Sequence, residues 1–267
     1  MTLRPLQGPC NPMTPADNTL FSRHECKYYV AEEHVPAVRA MIRPFTRPDR
    51  FAARSPRNSY ALSSLYLDNP DLALLVSTEE GHKNRFKLRV RAYDDDPASM
   101  VFLEIKRRVG DVVLKTRAPM DRRRAGELLR TQAGVDPDGL DPDAAEFLRL
   151  VREMGAGPVV HVRYEREAYE ARGRAPVRVT FDRKLSRAIT DEWEPRLQGD
   201  DYRRTPTAGV ILEVKFTDSA PSWVDELISR AELMRTSIPK YALCIHAAED
   251  RGEMQRGQRR TGRITRG

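Results

Sequence analysis

Residues 84–93 read Asn-Arg-Phe-Lys-Leu-Arg-Val-Arg-Ala-Tyr, so that every second residue from Arg85 to Arg91 is basic and those between are apolar. Successive side chains of a β-strand point to opposite faces. One face would therefore carry Arg85, Lys87, Arg89 and Arg91, and the other Phe86, Leu88 and Val90. Neighbouring cations repel, so such a face belongs in water or around a polyanion. The same spacing recurs in Arg23/Glu25/Lys27, Glu104/Lys106, Lys115/Arg117, Tyr164/Arg166, Arg178/Thr180/Asp182 and Glu213/Lys215. Glu104/Lys106 and Glu213/Lys215 each interrupt an otherwise apolar run, VFLEIK and VILEVKF. One such pair describes an ordinary solvated strand face. Repeated over many segments with cations in excess, the pattern predicts polar faces that converge on a cationic lumen.

Phosphate chemistry suits that lumen. Arginine offers planar bidentate donors to phosphate oxygens and lysine a point charge. A pure anion binder has no use for carboxylates, but Mg²⁺ or Mn²⁺ requires them. Cations would then stabilise the spread charge of a phosphoryl-transfer transition state while the metal aligns the phosphoryl group.

The elements that must hold these residues can be read from periodicity. Strands are expected at 21–30, 60–68, 84–93, 101–108, 112–119, 158–171, 175–185 and 209–216. Gly110-Asp111 and Arg172-Gly173-Arg174 supply hairpin turns. Helical spacing places Val35, Val38 and Ile42 on one side of a helix within 31–44. A short helix is expected over NPDLALLVSTEEG (69–81), with an Asn or Asp cap at its start and Gly81 closing it. Two helical pieces fill 121–155 and an amphipathic helix spans 222–235, while SIPKYALCIHAA (237–248) is left unassigned. About eight antiparallel strands with connecting helices predict an α+β fold. The expected form is a closed antiparallel β-barrel around a cationic tunnel, with the helices packed outside, since closure removes sheet edges.

The composition sets bounds. The 267 residues suit one domain with tails: a flexible leader over 1–19, a folded unit over 20–248 and a basic, disordered tail over 249–267. A hydrophobic content of 40% supports a core, and a net charge of +7 favours anionic partners without choosing among them. Arginine exceeds lysine in the manner of a GC-rich bacterial genome, which discounts the raw charge. Cys10, Cys26 and Cys244 form no CxxC pair, and the five histidines have no metal-ligand spacing. With no apolar run near 18 residues and no signal-peptide pattern, a cytoplasmic protein without a transmembrane segment is expected, and a membrane partner protein stays open. Basic residues alternate with aliphatic ones and no exposed aromatics interleave them, which argues against specific nucleic-acid binding.

The order of R-x-E-x-K-Y (Arg23 to Tyr28), S-L-Y-L-D-N-P (Ser64 to Pro70), K-x-R-x-R-x-Y (Lys87 to Tyr93), F-L-E-I-K-R (Phe102 to Arg107), Y-x-R-x-A-Y (Tyr164 to Tyr169), R-V-T-F-D (Arg178 to Asp182), L-E-V-K-F (Leu212 to Phe216) and Lys240-Tyr241 resembles the VTC domain. This is the polyphosphate polymerase domain of the triphosphate tunnel metalloenzymes. The resemblance implies a barrel lumen that binds a triphosphate and a divalent metal, Mn²⁺ or Mg²⁺, and transfers the γ-phosphate of ATP to a growing polyphosphate chain. By motif, Lys27, Arg85, Lys87, Arg89, Arg91, Lys106, Lys115, Arg166, Lys215 and Lys240 would line the tunnel, with Tyr164 as a polar contact. Arg89, Arg91, Arg166, Lys106 and Glu213 would carry catalysis. Glu213 would hold the metal with Glu25 as the second candidate ligand, and Glu25 and Glu104 would also position neighbouring lysines.

The chain departs from the superfamily twice. Its first strand has Arg23 where the triphosphatases have the first Glu of E-x-E-x-K, which favours the polymerase branch. The family's S-K-Y is Pro239-Lys240-Tyr241 here. Two alternatives to the polymerase stand: a tripolyphosphate hydrolase with water as acceptor, and a non-catalytic polyphosphate or nucleotide sensor that needs no metal.

Overall fold

Alternation of charged and apolar residues produces one large antiparallel sheet whose two faces differ in chemistry. The computed structural model describes residues 23–255 except 111, 132–138 and 174. The expected leader, Arg174 of the second hairpin and residues 256–267 of the expected tail lie outside the described residues. In chain order the elements are β1 (Arg23–Val30), α1 (Val35–Ile42), β2 (Thr46–Pro48), β3 (Ser59–Asp68), α2 (Ala73–Glu79), β4 (Asn84–Ala92), β5 (Met100–Val109), β6 (Val112–Asp121), α3 (Arg122–Thr131), α4 (Pro142–Met154), β7 (Gly157–Ala171), β8 (Arg178–Ile189), β9 (Arg203–Arg204), β10 (Val210–Thr217), α5 (Ser222–Arg230) and α6 (Lys240–Glu249). Strands pair in the order β1-β10-β8-β7-β3-β4-β5-β6, with β2 joined to β7 and β9 to β8.

The expected barrel closure is not observed: β1 and β6 are the two ends of the sheet and do not pair. A backbone contact occupies part of the β1 edge. The Thr236 N–H donates to the Lys27 carbonyl at 2.9 Å, so the segment before α6 covers the free edge of β1. A carbonyl on a strand edge that already accepts from one segment is not open to pair with another.

The apolar set of each strand packs outward under helices. Leu88, Val90, Leu103 and Ile105 lie beneath Ala125 and Leu129 of α3 and Phe147 and Val151 of α4. Cys26, Tyr28, Val179, Phe181, Leu212 and Val214 lie beneath Val35, Val38 and Ile42 of α1 and Val224 and Leu227 of α5. Each fully buried Leu or Phe contributes about 2 kcal/mol of apolar burial.

One helix departs from the expected outer position. α6 packs through Tyr241, Ala242, Cys244 and Ile245 on Leu62, Tyr66, Val160, Val162 and Tyr164. Leu62 and Tyr66 share their face of β3 with Ser64, which bonds Arg91, so α6 lies on the charged side of the sheet. Its buried residues Tyr241, Ala242, Cys244, Ile245 and Ala248 fall on one face, but Leu243 and Ala247 lie on the other, so no polar stripe marks the segment as helical in the sequence. A bulge prepares the site: Lys184 takes a left-handed φ of 53°, which flips the alternation of β8 and turns Leu185 and Arg187 towards α6.

The expected helix over 222–235 is shorter, ending at Arg230. Glu232 adopts a left-handed φ of 48°, and the Leu233 N–H returns to the Ile228 carbonyl at 2.9 Å, which seats Leu233 on the core. The α2 cap comes from the end of β3: Asn69 accepts from the Ala73 N–H, and Asp68 from Leu74 and Leu75.

Candidate phosphate-binding cavity

The charged face of the curled sheet surrounds a cavity of about 790 Å³. Glu25, Lys27, Lys87, Arg89, Arg91, Lys106, Lys115, Tyr164, Arg166, Glu213, Lys215 and Lys240 all line it. Arg85 lies outside this set and lines an adjoining cavity of about 460 Å³, whose walls share Glu25, Lys27, Lys87 and Lys106 with the first. Glu104 stands behind the cations, fully buried.

Three carboxylate centres organise these cations. Glu104 accepts from Arg89 Nε and from Lys115 Nζ, both at 2.7 Å, with Arg91 at 3.6 Å and Arg117 at 3.5 Å. The register makes this possible, since Glu104 stands opposite Arg89 on β4 and Arg117 on β6. Burial would raise its pKa, but Arg89, Arg91 and Lys115 outweigh it and hold the carboxyl ionised far below its ordinary range.

Asp182 is the second centre. Arg166 binds it in bidentate fashion, Nε to Oδ1 and Nη2 to Oδ2 at 2.7 Å each, and Lys240 Nζ adds a contact of 2.8 Å. The Tyr164 hydroxyl lies 3.3 Å from Arg166 Nη2, and the Lys240 ammonium sits 5.0 Å from the Tyr164 ring centroid. Burial would lower the pKa of Lys240, but Asp182, Tyr164 and Glu213 hold it above its ordinary value. The motif R-V-T-F-D contains Asp182, yet its role as the anchor of Arg166 and Lys240 was not legible in the sequence.

Glu25 and Glu213 form the third centre. Lys27 Nζ and Lys106 Nζ reach Glu25 at 2.8 Å, and Lys215 Nζ lies 2.8 Å from Glu213 and 3.7 Å from Glu25. Burial and Glu213 push the Glu25 pKa up, but Lys27, Lys106 and Lys215 bring it down to about 2. Lys106, expected beside Glu104 on β5, turns instead to Glu25 on β1.

Tyr60, Ser64 and Tyr66 were not expected at the site, whereas Arg117 and Arg178 were among the charged strand positions expected to converge on the lumen. Arg89 Nη1 reaches the Tyr66 hydroxyl at 3.1 Å and Arg91 Nε reaches Ser64 Oγ at 3.2 Å. Tyr60, Tyr66, Arg117 and Arg178 also line the cavity. The common parity of Tyr60, Ser64 and Tyr66 in β3 was the available signal.

Fit to a divalent cation depends on the donors. Among the described residues no group of three or more His, Cys, Asp or Glu side chains could enclose a metal. Glu213 and Glu25, bridged by Lys215, offer two carboxylates beside the lumen. That suits Mg²⁺ or Mn²⁺ bound by one or two carboxylates and completed by water and substrate phosphate oxygens. It does not suit a metal held by protein alone.

The VTC domain family model matches residues 22–248. Subunit 4 of the vacuolar transporter chaperone complex from Schizosaccharomyces pombe is 26% identical over 273 residues, covering 85% of this chain and 37% of that protein. The chain thus spans little more than a third of that relative's length. Among solved structures, a putative adenylate cyclase from Bacillus halodurans gives a TM-score of 0.48 at 11% identity, covering 82% of this chain and 94% of that one. A Pyrococcus horikoshii protein gives 0.42 at 13%, covering 86% and 98%.

Proposed function

The chain belongs to the VTC domain family, and from this and its cationic cavity we propose that it is a polyphosphate polymerase moving the γ-phosphate of ATP onto a growing polyphosphate chain. The observation that carries the reading is the convergence of Lys27, Lys87, Arg89, Arg91, Lys106, Lys115, Arg166, Lys215 and Lys240 on one cavity. Their charge exceeds that of Glu25, Glu104, Asp182 and Glu213, so an anion is needed to complete the site.

In this reaction a terminal oxygen of the polymer attacks the γ-phosphorus. A new P–O bond forms as the bond to the β-bridging oxygen breaks, and that oxygen leaves with the electron pair on ADP. No proton need move, because attacking and leaving oxygens are both anionic. Arg89 and Arg91, aimed by Glu104, and Arg166, aimed by Asp182, stabilise the charge spread over the equatorial oxygens. Because carboxylates already hold these guanidiniums in place, little reorganisation accompanies transfer. Lys27, Lys106, Lys215 and Lys240 bind the neighbouring phosphates as point charges. Glu213 with Glu25 would hold Mg²⁺ or Mn²⁺, which supplies charge neutralisation at the phosphoryl oxygens.

The relative's name describes a subunit of a complex; a protein partner in a membrane, receiving polymer made in the cytoplasm, fits the same reading. No helix among the described residues is long and apolar enough to cross a membrane.

The test is a phosphate-balance assay on purified protein with ATP and Mg²⁺ or Mn²⁺, following ADP, orthophosphate and long-chain polyphosphate together. Metal-dependent ADP and polymer are expected, and both vanish in Glu213→Ala and Arg89→Ala. Orthophosphate without polymer would move the protein to the tripolyphosphate hydrolases. No turnover, with polyphosphate binding that survives Glu213→Ala, would leave a sensor.

A further inference from the structure

Past Arg91 the lumen changes character. Phe51, Tyr60 and Tyr93 line the large cavity at the end where Arg178 and Arg117 stand. The Phe51 and Tyr93 rings run nearly parallel, 8° apart with centroids at 6.2 Å, and Tyr93 meets Phe102 edge-on at 5.7 Å. Tyr60 tilts against both Phe51 and Tyr93, at 6.2 and 6.1 Å. Phe51 is 43% exposed, with the Arg50 guanidinium 4.7 Å from its ring centroid. At the other end, the adjoining cavity is walled by Arg85, Arg107, Arg108 and Arg235, with Phe86 as its sole aromatic lining residue among the described residues.

A phosphate chain has no apolar surface to offer the exposed Phe51 ring and the half-buried rings beside it, so they suit another partner. A planar heterocycle supplies one: stacking a base on an aromatic ring contributes roughly 1–3 kcal/mol, and a neighbouring guanidinium adds cation–π attraction. The spacing also suits. Lys87, Arg89, Arg91 and Tyr93 share one strand row, and at roughly 3.3 Å per residue Lys87 stands about 20 Å from Tyr93. A nucleoside triphosphate laid along that row would put its base at the rings and its phosphates among the cations.

We propose that Phe51 and Tyr93 form a stacking shelf for the base of a nucleoside triphosphate, so that the donor enters at this mouth with its phosphates directed towards Arg91 and Arg89. The shelf rests on the reading of the cavity as a phosphoryl-transfer site and adds the direction in which the donor lies. It also gives the protein a means of telling a nucleotide from an inorganic triphosphate.

The experiment compares binding of ATP and of inorganic tripolyphosphate to the full chain by calorimetry, for wild type, Phe51→Ala, Phe51→Leu and Phe51→Trp. Leucine keeps apolar bulk without a π-face, which separates stacking from packing. ATP affinity should fall about 5- to 10-fold in the Ala and Leu variants, in line with the loss of one stacked base. Tripolyphosphate affinity should hold, and Phe51→Trp should bind ATP at least as tightly as wild type. Unchanged ATP affinity in Phe51→Leu, or equal weakening of both ligands, overturns the shelf. The readout does not depend on turnover. A chain that shows the selective loss but makes no polymer keeps the shelf and loses the polymerase reading. A chain that makes polymer while Phe51→Leu binds ATP normally does the reverse.

Discussion

Lys87 and Lys106 stand directly opposite one another across the β4–β5 ladder, yet only Lys106 reaches a carboxylate. Among the described residues Lys87 has no acidic partner. Burial, then the charges of Lys27, Lys106, Arg85 and Arg89, pulls its pKa down to about 7. Burial likewise lowers Lys115 to about 7 and Lys106 to about 8, against the attraction of Glu104 and Glu25. A lumen that binds an anion thus holds lysines that only an anion would keep fully charged.

Ligand binding should therefore take up protons. A polyphosphate beside Lys87 raises its pKa from about 7, so affinity should fall as pH rises above 7. Calorimetry at pH 8 in two buffers of different ionisation enthalpy should report proton uptake, reduced in Lys87→Met. The free chain should show the opposite slope. The unfolded state binds the extra proton above pH 7, so the penalty of the buried cation is full below 7 and fades towards the unfolded pKa. The melting temperature of wild type should approach that of Lys87→Met as pH rises, and a widening gap would contradict this.

Glu104→Gln removes the negative charge, and one of the two acceptor oxygens, shared by Arg89 and Lys115. Breaking a buried pair leaves uncompensated charge, and a loss of about 3 kcal/mol is expected, at the low end because both cations also face the cavity. Polyphosphate should restore more stability to this variant than to wild type, read as the ligand-induced shift in thermal midpoint. Equal shifts would mean that the ligand does not meet these cations.

Asp182→Asn keeps the shape of the side chain but releases Arg166 and Lys240. Both cations gain freedom that must be lost again in the transition state. Turnover should fall by about tenfold or more with less effect on KM, as expected for loss of preorganisation. A change confined to KM would assign Asp182 to ground-state binding alone.

The fully buried Arg187 is bidentate to Glu253, Nε–Oε2 at 2.9 Å and Nη2–Oε1 at 2.7 Å, and donates to the Ala247 carbonyl at the end of α6. Glu253→Ala should cost about 1.5 kcal/mol, because Glu253 is partly exposed and Arg187 keeps its bonds to the Arg204 and Ala247 carbonyls. The denaturation midpoint should drop with an unchanged slope. Lys240 lies at the other end of the same helix, so looser α6 should also weaken polyphosphate binding; a lower midpoint with unchanged binding would uncouple the two ends of α6.

The charge pattern of the lumen and most of its walls could be read from the chain alone. Strict alternation in β4, β5 and β10 decides which side of a strand Arg89, Lys106 or Glu213 faces, because the pleat has a period of two. The same alternation put Val90, Ile105 and Val214 in the core. What alternation cannot say is which charges meet. Lys106 meets Glu25 across 81 positions of sequence rather than Glu104 beside it on its own strand row. Asp182 became an anchor only because β7 and α6 deliver Arg166 and Lys240 to it from either side.

Sequence by itself thus determined the chemistry of each strand face, since backbone geometry makes that a local property. Tertiary structure decided the rest: the open seam, the inward seat of α6 and the pairing of charges. It alone also gathered Phe51, Tyr60, Tyr93 and Phe102 at one mouth. Each of these depends on where distant segments meet. The Thr236 N–H meets the Lys27 carbonyl on the open edge of the sheet, and no periodicity within β1 or β6 encodes a hydrogen bond made by a remote segment.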